Sequence, residues 1–179
     1  MAIYISLLRG INVSGQKKIK MADLKNMYEE LGFSEVVTYI QSGNVLFSTK
    51  PAPEKALERK IKKAILDAFG YDVPVLVLTY ETLERLAVKN PYSPEATDLK
   101  LLHMTLLSKP PEAAVMEAVQ RLEYPGESFK ITPEVVYLHL PNGYGRTKLN
   151  NNFFEAKLKV SATTRNLKTI NKLLELAQQ

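Results

Sequence analysis

The first apolar run, Ala2–Leu8, has the length of a β-strand, and Leu24, Met27, Tyr28 and Leu31 then recur at helical spacing within Met21–Leu31, just ahead of Gly32. Glu35–Ile40 and Asn44–Ser48, rich in Val, Ile, Tyr and Phe, read as two strands joined by a tight hairpin turn in which Gly43 supplies the bend. Pro53–Phe69 repeats Leu57, Ile61, Ala64, Ile65 and Ala68 on one face with lysines opposite. Gly70 stops this helix, and Val73–Thr79 returns as a buried strand. The order over residues 1–79 is therefore β-α-β-β-α-β, that of a ferredoxin-like unit.

A short helix at Tyr80–Lys89 leads into Asn90–Lys100, which contains Pro91 and Pro94 and reads as a linker. A second set follows: a strand at Leu101–Leu107, a helix at Pro110–Leu122 with Val115, Ala118, Val119 and Leu122 inward, and a strand pair at Glu127–Thr132 and Val135–Leu140 bent at Pro133. Asn152–Leu158 and Leu167–Ala177 read as two helices, the second with Leu167, Ile170, Leu173, Leu174 and Ala177 at core spacing. The order β-α-β-β-α thus occurs twice, without a residue-by-residue repeat. The expected fold class is α+β: two ferredoxin-like halves, with antiparallel sheets and helices packed on one face. The N-terminal half covers 1–79, a helix and linker 80–100, and the C-terminal half with its terminal helix 101–179.

Composition narrows the setting. At 179 residues and 45% apolar content the chain can bury a proper core. It has no cysteine, so it can build no disulfide framework, thiolate nucleophile or cysteine metal cage, which suits a reducing cytosol. No basic leader precedes the first apolar run, and that run is too short for a signal peptide or a membrane span. The chain reads as soluble and cytoplasmic, with no membrane partner. Its net charge of +5 is unevenly placed: Tyr80–Pro125 carries five basic and seven acidic residues, Pro141–Gln179 seven basic and two acidic. That bias favours phosphate-bearing partners, small or polymeric; lysines that merely solvate helix faces produce the same pattern.

Four polar segments stand out from this frame. Arg9, Gly10 and Asn12 leave the first strand and run into Gly15-Gln16-Lys17-Lys18, a loop able to close over an anion by backbone and side-chain donors. Gln41, Ser42 and Asn44 sit at the hairpin, where turn geometry alone also accounts for them. In a split βαβ unit the loop leaving strand one and this hairpin share one end of the sheet, which makes Arg9 and Asn44 near neighbours. Gly143-Tyr144-Gly145-Arg146-Thr147-Lys148 joins two glycines to a guanidinium, a hydroxyl and an ammonium; it fits neither a Walker A loop nor a dinucleotide fingerprint, and Asn142-Gly143 is also an ordinary turn pair. Thr163-Thr164-Arg165-Asn166 is expected to open the last helix, with a Thr as its cap and the helix start offering free amides to an anion. Whether the loops of the two halves meet is a matter of how the halves pack.

Catalytic machinery is not legible. His103 and His139 lie in expected strands without a second ligand at metal spacing and read as packed or surface strand residues. No Ser/His/Asp order, nucleophile elbow or paired-acid signature occurs, so no catalytic residue, metal or cofactor is assigned.

Leu-Leu-Arg-Gly-Ile-Asn-Val at 7–13, Thr-Tyr-Ile-Gln-Ser-Gly-Asn-Val at 38–45, Gly-Arg-Thr-Lys-Leu at 145–149 and Ala-Thr-Thr-Arg-Asn at 162–166 together give a chain that resembles the family called domain of unknown function 1697. The resemblance implies a cytosolic bacterial protein of two ferredoxin-like α+β halves and no established activity. Ser14 stands where the family usually has glycine, and Leu167 where tryptophan commonly follows Thr-Thr-Arg-Asn.

The leading functional expectation is an anion-binding module for a phosphorylated ligand, a nucleotide or a nucleic-acid backbone. Its ligand-binding residues are Arg9, Asn12, Asn44, Arg146, Lys148, Thr164, Arg165 and Asn166. Two alternatives are an enzyme acting on a phosphorylated metabolite and a protein interaction or dimerisation unit.

Overall fold

Along β1 (Ala2–Leu8) successive side chains point to opposite faces of a sheet, so Tyr4 and Leu8 enter one apolar layer and Ile5 and Leu7 the other; all four are buried. The computed structural model describes residues 1–93 and 98–179. From β1 the chain continues through α1 (Met21–Glu30), β2 (Ser34–Tyr39), β3 (Asn44–Thr49), α2 (Glu54–Phe69), β4 (Val75–Thr79) and α3 (Tyr80–Val88). It then forms β5 (Leu102–Leu107), α4 (Ala113–Gln120), β6 (Ser128–Ile131), β7 (Val135–His139), α5 (Asn151–Leu158), β8 (Ala162–Asn166) and α6 (Leu167–Ala177). Part of the linker expected at Asn90–Lys100, Pro94 included, lies outside the described residues. Two compact units result, residues 1–84 with 173–179 and residues 85–172, so that α3 and α6 contribute to both.

In the first unit the strand order is β2-β3-β1-β4 with every neighbour antiparallel, as a ferredoxin-like unit requires. The stripe Leu57, Ile61 and Ile65 on α2 and the pair Leu24 and Tyr28 on α1 bury against Val45, Phe47 and Val77 of the sheet. Phe47 is the hub of this layer, stacked on Phe33 at 4.4 Å and met edge-on by Tyr28 at 5.6 Å, contacts worth about 0.5–1.5 kcal/mol each. The core's buried hydroxyls are paired: Ser6 Oγ and Tyr28 Oη lie 2.7 Å apart, and burial pushes the Tyr28 phenol well above its ordinary value. α2 stops at Gly70, whose φ of +77° lets its N–H return to the Leu66 carbonyl at 2.9 Å.

The second unit repeats the arrangement, with order β6-β7-β5-β8 and antiparallel neighbours throughout. Val136, Leu138 and Ala162 of the sheet pack with Val119, Phe154 and Leu158 of α4 and α5. The opposite face is also used, since the Tyr137 hydroxyl donates to the Leu86 carbonyl of α3 at 2.6 Å. α4 begins only at Ala113 rather than at Pro110, because a residue preceding proline is disfavoured in the helical region and Pro110 precedes Pro111.

One expected boundary is corrected. Residues 162–166 do not open the last helix; they form β8, which pairs with β5 along its length and completes β-α-β-β-α-β in this half as well. The β-branched pair Thr163-Thr164 suits a strand, and the ladder with β5 supplies its hydrogen bonds. The helix cap moves with the boundary: Asn166 Oδ1, not a Thr hydroxyl, accepts the Thr169 N–H at 2.8 Å.

Candidate functional site

In the first unit the loop after β1 and the β2–β3 turn are tied together at one end of the sheet. Asn12, at φ +55°, donates from Nδ2 to the carbonyls of Ile19 (3.0 Å) and Gln41 (2.8 Å) and accepts the Ile19 N–H on Oδ1 at 2.9 Å. Its amide is therefore spent on the fold of the loop. Gly43 closes the same junction: its carbonyl accepts the Leu8 N–H at 2.8 Å, and a Cβ there would lie 2.7 Å from Leu8 Cβ. Asn44 faces Leu7 across the ladder and is fully buried; its Nδ2 donates to the Tyr39 carbonyl at 3.0 Å and to Ser42 Oγ at 2.9 Å. Arg9 is half-buried, and its N–H donates to the Pro74 carbonyl at 3.1 Å. Lys17, also at positive φ, donates from Nζ to the Asp72 carbonyl at 2.7 Å, which fixes the far side of the loop.

In the second unit the sheet register brings the other candidates to one end. His139 closes β7 opposite Leu102, and Asn166 closes β8 opposite His103, so the loop leaving β7 and the end of β8 both lie where β5 begins. That loop makes one 3-10 turn at Tyr144–Arg146. Arg146 and Lys148 are exposed on it, and neither makes an ion pair among the described residues. Arg165 is half-buried on β8 and donates from a guanidinium nitrogen to the Thr164 carbonyl at 2.9 Å. A polar seam runs beside it: Thr164 Oγ1 donates to Asn151 Oδ1 at 2.6 Å and lies 2.8 Å from Thr105 Oγ1, its partner across the β5–β8 ladder. Asn151 N–H in turn donates to the Tyr144 hydroxyl at 3.2 Å, and the Tyr144 ring stacks on His103 at 5.2 Å.

Two basic groups in this region carry displaced pKa values. Burial pushes the Arg165 guanidinium down to about 10, with the nearby Tyr144 phenol acting in the opposite direction. At neutral pH it remains a cation in partly desolvated surroundings. Burial likewise lowers the His103 imidazole below its ordinary value, opposed by the Leu101 carbonyl. His103 Nδ1 is buried without a hydrogen-bonding partner among the described residues, as is Asn90 Nδ2.

The expected residues therefore fall into two sets, Arg9, Asn12 and Asn44 in the first unit and Arg146, Lys148, Thr164, Arg165 and Asn166 in the second. The first set meets at one sheet end; in the second unit Asn166 and the loop bearing Arg146 and Lys148 share the end where β5 begins, while Arg165 and Thr164, one and two residues further in, point to opposite faces of the sheet. Sequence reasoning missed Thr105, Asn151 and Tyr144 as members of the second set. The run Asn150-Asn151-Asn152 was the available signal: Asn150 caps α5 by accepting the Phe153 N–H at 2.9 Å, and that leaves its neighbour to face β8. Among the described residues no group of three or more His, Cys, Asp or Glu side chains is placed to hold a metal ion, and no helix is long and apolar enough to cross a membrane.

Comparison with known proteins agrees with the fold. Along its whole length the chain is similar to the conserved bacterial protein SP0830 from Streptococcus pneumoniae, with a TM-score of 0.75, 23% identity and 98% of each chain covered. No curated protein matches it. The family described as protein of unknown function (DUF1697) matches residues 1–137, a span that holds both motifs of the first unit and ends before the Gly143–Lys148 loop. With more than half of its length covered by that match, the chain belongs to the DUF1697 family.

Proposed function

We propose that the protein is an anion-binding module, and that its second unit takes a phosphorylated ligand, a nucleotide or a nucleic-acid backbone at the sheet end bearing Arg146, Lys148 and Arg165. The observation that carries this reading is placement: β8, which bears Arg165, ends where β5 begins, and the loop with Arg146 and Lys148 leaves β7 at the same end. Arg165 is a cation that burial disfavours, its pKa lowered to about 10, and a nearby oxyanion acts in the opposite sense. Its fork also matches phosphate geometry. Arg146 and Lys148, exposed on the loop at the same end of the sheet, supply the charge that draws the ligand in. Thr164 holds the strand through Thr105 and Asn151, and Asn166 caps α6 at the edge of the site. In this reading Asn12 and Asn44 shape the loop that carries Arg9 in the first unit.

Calorimetric titration with inorganic pyrophosphate, a nucleoside triphosphate and duplex DNA tests the proposal. Binding of at least one probe is expected, weakened about tenfold by Arg146→Gln combined with Lys148→Gln, both exposed positions whose change leaves the core intact. If the ligand is duplex DNA with about three phosphates neutralised, affinity falls roughly 40-fold between about 50 and 200 mM salt. Absence of binding by all three probes, or binding indifferent to the double substitution, refutes it.

A further inference from the structure

The second sheet carries another concave feature, reaching from the middle of β6 and β7 to their hairpin. β6 and β7 turn at Thr132–Glu134, next to the C-terminal end of β5, where the Leu107 N–H meets the Glu134 carbonyl at 3.0 Å. The last turns of α3 lie over this hairpin, held by the Tyr137 hydroxyl on the Leu86 carbonyl. Between them is a groove of about 450 Å³, well within the size that small-molecule sites occupy. Leu86, Pro133 and Tyr137 give it an apolar floor, with Tyr137 and Leu86 themselves buried. Lys89, just past the end of α3, and Lys130 from β6 stand on its rim, and Lys130 lies opposite Tyr137 in the ladder, hence on the same face.

Charge in the groove is unbalanced. Among the described residues its one carboxylate, Glu134, is taken by Arg85 through two bonds of 3.0 and 2.9 Å, which close one side as a clip. Arg85 holds the Glu134 carboxyl below its ordinary value, burial opposes this, and Lys89 adds to the lowering, so the field of Lys89 reaches into the groove. Lys89 and Lys130 make no ion pair among the described residues. Two ammonium groups beside an apolar floor, where the one acid among the described residues is already neutralised, fit an anion with an apolar body.

We propose that this groove, between α3 and the β6–β7 hairpin, binds a small amphipathic organic anion, with its hydrocarbon or aromatic body on Leu86, Pro133 and Tyr137 and its carboxylate, sulfonate or phosphate between Lys89 and Lys130. Arg165 is not part of the groove's lining; it stands two strands from Tyr137 in the same cross-strand row, about 10 Å away by strand spacing. The proposal does not rest on the reading of Arg165.

Fluorescence titration of the intact chain with anilinonaphthalene sulfonate, an apolar anion, tests it against phenylnaphthylamine, its uncharged relative. The sulfonate is expected to bind at one site and to lose about tenfold or more in affinity with Lys89→Gln and Lys130→Gln together, while the neutral dye responds equally to both proteins. Both lysines are exposed, and circular dichroism of the double variant verifies that it folds. The proposal is overturned if the sulfonate is not bound, if the double variant binds it unchanged, or if Arg146→Gln with Lys148→Gln abolishes its binding.

Discussion

Replacing Gly43 by alanine tests how tightly the two polar segments of the first unit are joined. Gly43 has φ +86°, a left-handed conformation that costs an L-residue about 1–2 kcal/mol. An added Cβ would also stand 2.7 Å from Leu8 Cβ and 2.8 Å from Ile11 Cδ1, both buried side chains without room to retreat. Overpacking of this kind costs about 1–3 kcal/mol, so the total is about 2–5 kcal/mol, a large part of the stability of an ordinary domain. Gly10 is the control. It has φ +79° in the same unit, but a Cβ there meets nothing within 4 Å, and Gly10→Ala should cost only the conformational share. Equilibrium urea unfolding followed by far-ultraviolet circular dichroism gives both values. A difference of about 1–3 kcal/mol between the variants supports the close approach of turn and loop. Equal losses refute it.

Thr164→Val removes the hydroxyl that joins Thr105 to Asn151 and should destabilise by about 1–2 kcal/mol in the same assay, whereas adding Thr105→Val should cost less than the sum of the single changes because no hydroxyl is then left without its mate. Asn166→Ala should cost about 1 kcal/mol through loss of the α6 cap, with Thr163→Ala showing no such helix-end fraying by hydrogen exchange. Since burial lowers the His103 pKa from 6.5, the unfolded chain takes up a proton that the folded chain resists; stability should fall as pH drops below about 6.5 and level off beneath the folded pKa. His103→Phe, which keeps a ring on Tyr144, should flatten that part of the urea midpoint profile, and an unaltered profile counts against the assignment.

Most of the architecture was legible because periodicity and breakers agreed. The stripe on α2, the stop at Gly70 and the alternation of β1 each arise from local sequence and survive in the structure. β8 was not legible: Ala162-Thr163-Thr164-Arg165-Asn166 has no apolar alternation, and it is a strand because β5 offers it an edge. The same long-range pairing hid the polar seam, since Thr105 lies 59 positions from Thr164 and only the fold brings them within 2.8 Å. By contrast, the meeting of the loop after β1 with the hairpin followed from topology, because strands one and two end on the same side of a split βαβ sheet; Asn12 on Gln41 is the bond that realises it. What sequence assigned to ligand contact in Asn12 and Asn44, the structure shows occupied in shaping turns. Short polar side chains beside glycines serve both roles, and only their partners tell them apart.

The central claim is that the sheet end bearing Arg165 receives an oxyanion. Titration of the isotope-labelled chain with inorganic pyrophosphate, read as amide chemical-shift changes, tests it most directly. Saturable shifts concentrated at residues 143–148 and 164–168 are predicted, lost with Arg165→Gln in a protein whose remaining spectrum is preserved. No shifts, or shifts spread along the lysine-bearing face of α2 with those segments unmoved, would contradict it.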